Sequence, residues 1–156
     1  MRLTQFSDHT LRLLIYLALH GDRLVTIQTV AEAYDVSVHH LTKVAHQLVR
    51  RGLVQALRGK GGGIRLARPA AEIALGDVLR SAEGGAAPVG CATSDRRCRL
   101  SADCRLAGVL HDAFETFYAV LDRTTLADLV ERPGPLQRQL GIVPPSGGCR
   151  PAREAV

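Results

Sequence analysis

The chain has 156 residues, a formal net charge of +5, and 46% hydrophobic, 4% aromatic and 22% charged residues. That is about one domain's length, apolar enough to build a core, which excludes a wholly disordered chain. No apolar stretch reaches the roughly 20 residues of a bilayer span, the longest being Leu13 to Leu19, and Met1-Arg2-Leu3-Thr4-Gln5 lacks a signal peptide's apolar run, so a soluble cytoplasmic protein with no membrane partner is expected.

In chain order, a first helix is predicted from Ser7 as N-cap, with Asp8 in its first turn, through Leu11, Leu14, Ile15 and Ala18 to a stop at Gly21. A second begins after Thr26 and buries Ile27, Val30, Ala31 and Tyr34. Asp35-Val36-Ser37 reads as a short turn, with Ser37 capping a third helix whose apolar face is Leu41, Val44, Ala45, Leu48 and Val49 and which ends at Gly52. Two β-prone pieces, Leu53 to Leu57 and Ile64 to Ala67, flank Arg58-Gly59-Lys60-Gly61-Gly62-Gly63, a glycine-rich cationic tip that predicts a β-hairpin. A shorter helix follows around Leu75 to Glu83. The fold class expected is mainly α with a small β-hairpin: a winged helix-turn-helix over 1–83.

Gly84-Gly85-Ala86-Ala87-Pro88 opens a cysteine-bearing loop over 84–105. From Leu106 the residues Val109, Leu110, Ala113, Phe114, Phe117, Val120 and Leu121 recur at helical spacing, predicting one amphipathic helix of about 24 Å within a 106–130 segment. Such a helix added to a complete small domain needs a covering surface, and a second copy of the chain is the expected one, since two-fold dimers dominate oligomers. Thr125-Leu126-Ala127-Asp128-Leu129 can add a turn. The Pro- and Gly-rich stretch 131–156 reads as a disordered tail.

Charge divides the chain. Residues 1–70 hold ten Lys and Arg against four acids, and residues 71–156 hold ten Arg against eleven acids. The basic segment implies a polyanion partner. A helix-turn-helix puts the N-terminal part of its second helix in the major groove of double-stranded DNA, here Ser37, His39, His40, Thr42 and Lys43. Arg50 and Arg51 are placed for phosphates, and Arg58, Lys60 and Arg65 of the hairpin for an adjacent minor groove. A polar helix face alone means only solvation; its coupling to a basic glycine hairpin favours DNA. His39 and His40 diverge by roughly 100° on a helix and cannot chelate one ion together. His20, His46 and His111 read as surface residues.

All four cysteines, Cys91, Cys98, Cys104 and Cys149, lie in the second half. In a cytoplasmic chain that suggests metal or redox chemistry rather than disulfides. The spacings among the first three are longer than the two to four residues usual for paired zinc ligands. Three thiolates on one loop, with Arg96, Arg97, Arg99 and Arg105 beside them, suit an iron–sulfur cluster; free or redox-active thiols remain the other reading.

The run Arg58-Gly59-Lys60-Gly61-Gly62-Gly63-Ile64-Arg65-Leu66-Ala67-Arg68-Pro69, the three-cysteine loop, Cys104-Arg105-Leu106, Phe117, Val120-Leu121-Asp122 and Thr125-Leu126-Ala127-Asp128-Leu129 together resemble the iron–sulfur winged-helix repressors. Within that family the likeness is greater to the nitric-oxide-sensing branch than to the cluster-assembly regulators, and it covers roughly residues 1–130. The resemblance implies a homodimer on a palindromic operator, carrying a [4Fe–4S] cluster, with [2Fe–2S] as the alternative. The cluster is held by Cys91, Cys98 and Cys104 of one subunit and by Asp8 of the other; His111 and Cys149 are alternative fourth ligands. This chain has one extra residue between its first two cysteines. On that reading the intact cluster permits DNA binding, and nitric oxide, attacking the iron whose ligand is an oxygen, releases the operator. By itself an acid at Asp8 is simply favoured by the helix dipole. The rivals are an assembly-regulator type of response, a thiol or zinc redox switch on the same DNA-binding domain, and a thiol enzyme using a loop cysteine with His111, for which no nucleotide or phosphate motif is present.

Overall fold

The computed structural model describes residues 3–84 and 105–143. Helix α1 (Gln5–His20) is followed by α2 (Ile27–Tyr34), α3 (Val38–Arg50), the strands β1 (Val54–Leu57) and β2 (Gly63–Leu66), a 3-10 turn (Ala70–Glu72), α4 (Leu75–Ala82), α5 (Arg105–Asp122), α6 (Leu126–Leu129) and α7 (Pro133–Gln139). The mainly helical fold with one antiparallel hairpin agrees with the sequence pattern.

Helix α1 is the spine. Leu13, Leu14 and Leu17 are fully buried, and Val30 of α2 and Leu41, Val44 and Leu48 of α3 close around them. The N-cap of α1 is Thr4, not Ser7: the Thr4 hydroxyl accepts the Ser7 N–H at 3.1 Å. Thr4 stands three residues ahead and reaches that unsatisfied donor, so Ser7 is drawn inside the helix and buried. Helix α2 begins after Thr26, as expected, and the Thr26 hydroxyl caps it, accepting from the Thr29 N–H at 3.1 Å. The turn into α3 is made at Asp35, whose φ of 50° is left-handed. Asp tolerates that region better than most side chains, and here its N–H returns to the carbonyls of α2. Ser37 does occupy the N-cap of α3, yet its side chain makes no capping bond.

The hairpin pairs Val54 with Leu66 and Leu57 with Gly63. It is anchored to the helices by Val25, which exchanges backbone hydrogen bonds with Ile64 at 3.0 and 2.8 Å. At its tip Gly59 and Gly61 take positive φ, as the glycine run predicts.

Among the described residues, the polar contacts that join helix α5 to this body lie toward its C-terminal end. Gly76 of α4 permits the approach: a Cβ there would run into the Asp122 carboxylate. Arg80 donates to both Asp122 oxygens at 2.7 Å, and its guanidinium lies over the Tyr118 ring at 4.5 Å. Beyond it the Leu75 N–H donates to Thr124 O and the Leu126 N–H to Ile73 O. A capping box between Thr125 and Asp128 starts α6, and Leu126 is fully buried. No residue of α5 is buried; Leu106, Val109 and Val120 are 61%, 64% and 62% exposed.

The expected disordered tail is corrected for residues 133–143. Pro133 opens α7 and Gly141, with φ 64°, follows its end, so two residues that read as disorder act as a helix start and stop. Leu136, Leu140 and buried Ile142 pack on the core, Gln137 donates to Leu19 O at 3.0 Å, and Arg23 donates to Val143 O at 3.3 Å. Among the described residues, no helix is long and apolar enough to cross a membrane.

Candidate nucleic-acid interface

Helix α3 owes its orientation to its buried side. With Leu41, Val44, Ala45 and Leu48 facing the core, 100° per residue puts His39, Lys43, His46 and Arg50 on the opposite side, with Thr42 and then Val38 on the flank between; all but the half-buried Thr42 are exposed. The Thr42 hydroxyl donates to Val38 O at 2.8 Å, so its proton is committed within the helix while its lone pairs and methyl group stay available. Ser37 is exposed at the head of this stripe with its hydroxyl outside any capping bond.

His40 lies off the stripe. Its ring stacks on His9 of α1 at 5.9 Å between centroids, beside a cleft of about 210 Å³ lined by Gln5, Phe6, His9, His40, Lys43 and Val44. The His39 and His40 ring centroids are 6.2 Å apart, with the rings tilted by 50°. His20 is half-buried rather than a plain surface residue. It stacks on Tyr16 at 4.5 Å with Nδ1 3.0 Å from Tyr16 O, and burial lowers its pKa.

The cations expected at phosphates and in the minor groove fall into two groups. Arg50, Arg58 and Lys60 are exposed, the latter two at the hairpin tip. Arg51 instead donates to Ser81 O at 2.6 Å and ties the end of α3 to α4. Arg65 is half-buried and donates to Gln55 Oε1 at 3.2 Å across the hairpin, where the two residues are register partners.

Asp8, in the first turn of α1, forms an ion pair with Arg12 at 2.9 Å, the acid and base side chains being 47% and 41% exposed. Arg12 in turn lies 5.7 Å from the Tyr34 ring centre. Tyr34 is packed at the end of α2, and burial pushes its hydroxyl up to about 12. Sequence reasoning missed Glu83 altogether. Its carboxylate accepts from the Thr4 N–H at 3.0 Å, the Thr4 hydroxyl at 3.1 Å and the Ser7 hydroxyl. Burial alone would raise this carboxyl, but the bonds from Ser7 and Thr4 outweigh it and hold it below its ordinary value. The last turn of α4, from which the cysteine segment departs, is thereby fixed to the first turn of α1. Nothing local announces a contact between residues 79 positions apart; the only trace is the Thr4-x-x-Ser7 pair of hydroxyls.

Cys91, Cys98, Cys104 and Cys149 lie outside the described residues. His111 is exposed on α5. Among the described residues no group of three or more His, Cys, Asp or Glu side chains is placed to hold a metal ion.

Comparison with known proteins matches residues 3–132 to the Rrf2 family, described as an iron-dependent transcriptional regulator. The chain is 41% identical over 146 residues to the HTH-type transcriptional regulator NsrR of Halalkalibacterium halodurans, covering 92% of this chain and 100% of that protein. It is 42% identical over 132 residues to the NsrR of Shouchella clausii, covering 83% and 89%. Among solved structures, T. potens IscR superposes with a TM-score of 0.70 at 26% identity, covering 88% of this chain and 91% of that one.

Proposed function

The chain belongs to the Rrf2 family, a family of transcriptional regulators and not of enzymes, and from that premise we propose that it is a cytoplasmic, homodimeric repressor that senses nitric oxide through a [4Fe–4S] cluster. The observation that carries the DNA-binding half is the exposed polar face of α3 together with exposed Arg58 and Lys60 at the hairpin tip. Ser37, His39, Thr42 and Lys43 meet base edges, Arg50 meets the phosphate backbone, and Arg58 and Lys60 reach an adjacent minor groove. A two-fold dimer through α5 presents two such surfaces and so reads a palindromic operator.

The donor set suits the cluster. Cys91, Cys98 and Cys104 supply three thiolates with Arg96, Arg97, Arg99 and Arg105 to offset their charge. Asp8 of the other subunit supplies the fourth ligand. An exposed i,i+4 ion pair such as Asp8–Arg12 stabilises by only about 0.3–0.5 kcal/mol, so this carboxylate can change partner at small cost. When bound, the cluster offers an iron that a small diatomic gas can reach. Asp8 stands on α1, against which α3 packs, so release of that carboxylate frees α1 and with it the orientation of the reading helix.

Purification without oxygen tests the cofactor. The expected preparation is brown, with iron and acid-labile sulfide in equal amount; a colourless protein with zinc or only free thiols would make the cysteines a thiol or zinc switch.

A further inference from the structure

We propose that Val38 is a specificity-determining residue: its exposed side chain, with the Thr42 methyl group beside it, reads thymine C5-methyl groups in the major groove of each operator half-site. The inference rests on the DNA-binding reading above. Val38 is the first residue of α3 and is 38% exposed, although the neighbouring Val36 packs against the core. Val38 therefore leaves an apolar surface facing water at the head of the helix, where residues of a reading helix meet base edges. Thr42, one turn on, lies on the same side, and its hydroxyl proton is held by Val38 O. In this arrangement it presents its methyl group and acceptor lone pairs outward. The pair thus forms an apolar step next to the polar His39 and Lys43. In the major groove the one apolar feature of the base-pair code is the thymine methyl, and aliphatic side chains are its partners. A valine here gains nothing from guanine, cytosine or adenine edges, so each half-site should carry a thymine at the position that Val38 covers.

The test uses the full chain, prepared without oxygen and retaining its cofactor. Duplexes are selected from a random pool, and each thymine of the selected sequence is replaced singly by uracil, which deletes only the methyl group. Burial of one methyl predicts about a fourfold loss of affinity at one thymine per half-site, and about sixteenfold when both half-sites are substituted. Val38→Ala should abolish this uracil penalty, Thr42→Ser should reduce it, and Val38→Ile should retain it. Val38 is exposed, so melting temperatures of its variants should match the parent. A selected duplex indifferent to uracil at every position, or a penalty unchanged in Val38→Ala, overturns the role of Val38 and leaves DNA binding standing. Failure to enrich any duplex overturns the DNA-binding reading and this inference with it.

Discussion

Helices α1 and α5 are both long and amphipathic, with 16 and 18 residues, and the structure treats them oppositely. Seven residues of α1 are buried, whereas α5 buries none and, among the described residues, makes its polar contacts with the body toward its last turns. Periodicity alone does not distinguish them. What separates them is closure: α1 finds α2, α3, α4 and the hairpin within its own chain, while α5 extends from the body with Leu106, Val109 and Val120 uncovered. On the dimer reading, α5 completes its packing only against a second copy, so stability of the reader and stability of the pair are separate quantities.

That separation can be broken from either side. Leu17→Ala removes a fully buried side chain at the centre of α1 and should cost about 2–5 kcal/mol in urea unfolding. Val109→Asp, at an exposed site, should leave the melting of the winged-helix body nearly unchanged while sedimentation shows monomers in place of dimers. A dimer that survives Val109→Asp with undiminished affinity contradicts the role given to α5.

Next in size is the junction between the two. Gly76→Ala forces a Cβ into the Asp122 carboxylate and displaces backbone as well as side chain, a strain of about 1–3 kcal/mol. It should detach α5 from α4, seen as faster amide exchange at Leu75 and Leu126, the two N–H groups that bond across this junction.

The hairpin tip should affect binding and not folding. Arg58→Ala and Lys60→Ala should each reduce the slope of log affinity against log salt by about 1, across operator sequences alike. Arg51→Ala differs: because its guanidinium holds Ser81 O, it should lower stability before it lowers the salt slope.

The smallest expected effect lies at Glu83. Its folded carboxyl titrates below the ordinary value, so its contribution is present above the unfolded pKa of about 4.3 and is lost as pH falls through the folded one. The stability difference between the parent and Glu83→Gln should therefore shrink on going from pH 6 to about pH 3, and only slightly, because solvent screens the group. A difference that grows as pH falls has the wrong sign.

Much of the fold was legible because apolar spacing reports which face each helix buries, and a glycine run with alternating cations reports a hairpin. Sequence reasoning failed where one residue type serves two purposes. Pro133 and Gly141 read as disorder and mark the ends of α7; Ser7 read as a cap and became a buried donor once Thr4 had taken that place. At the candidate interface, charge located the surface but not the commitments of individual side chains. His40 turns to His9, Arg51 to Ser81 and Arg65 to Gln55, and each partner is fixed by packing between elements. Val38 was passed over because an apolar residue at a helix start ordinarily reads as core.

The central claim is that the state of a cluster on the cysteine segment sets operator affinity. Nitric oxide titrated anaerobically into the cluster-loaded dimer, with visible absorbance and operator binding recorded on the same samples, tests it most directly. The account predicts that the iron–sulfur absorption and the operator complex disappear together over the same gas-to-cluster ratios. Operator affinity that stays unchanged while the absorption is lost would contradict it.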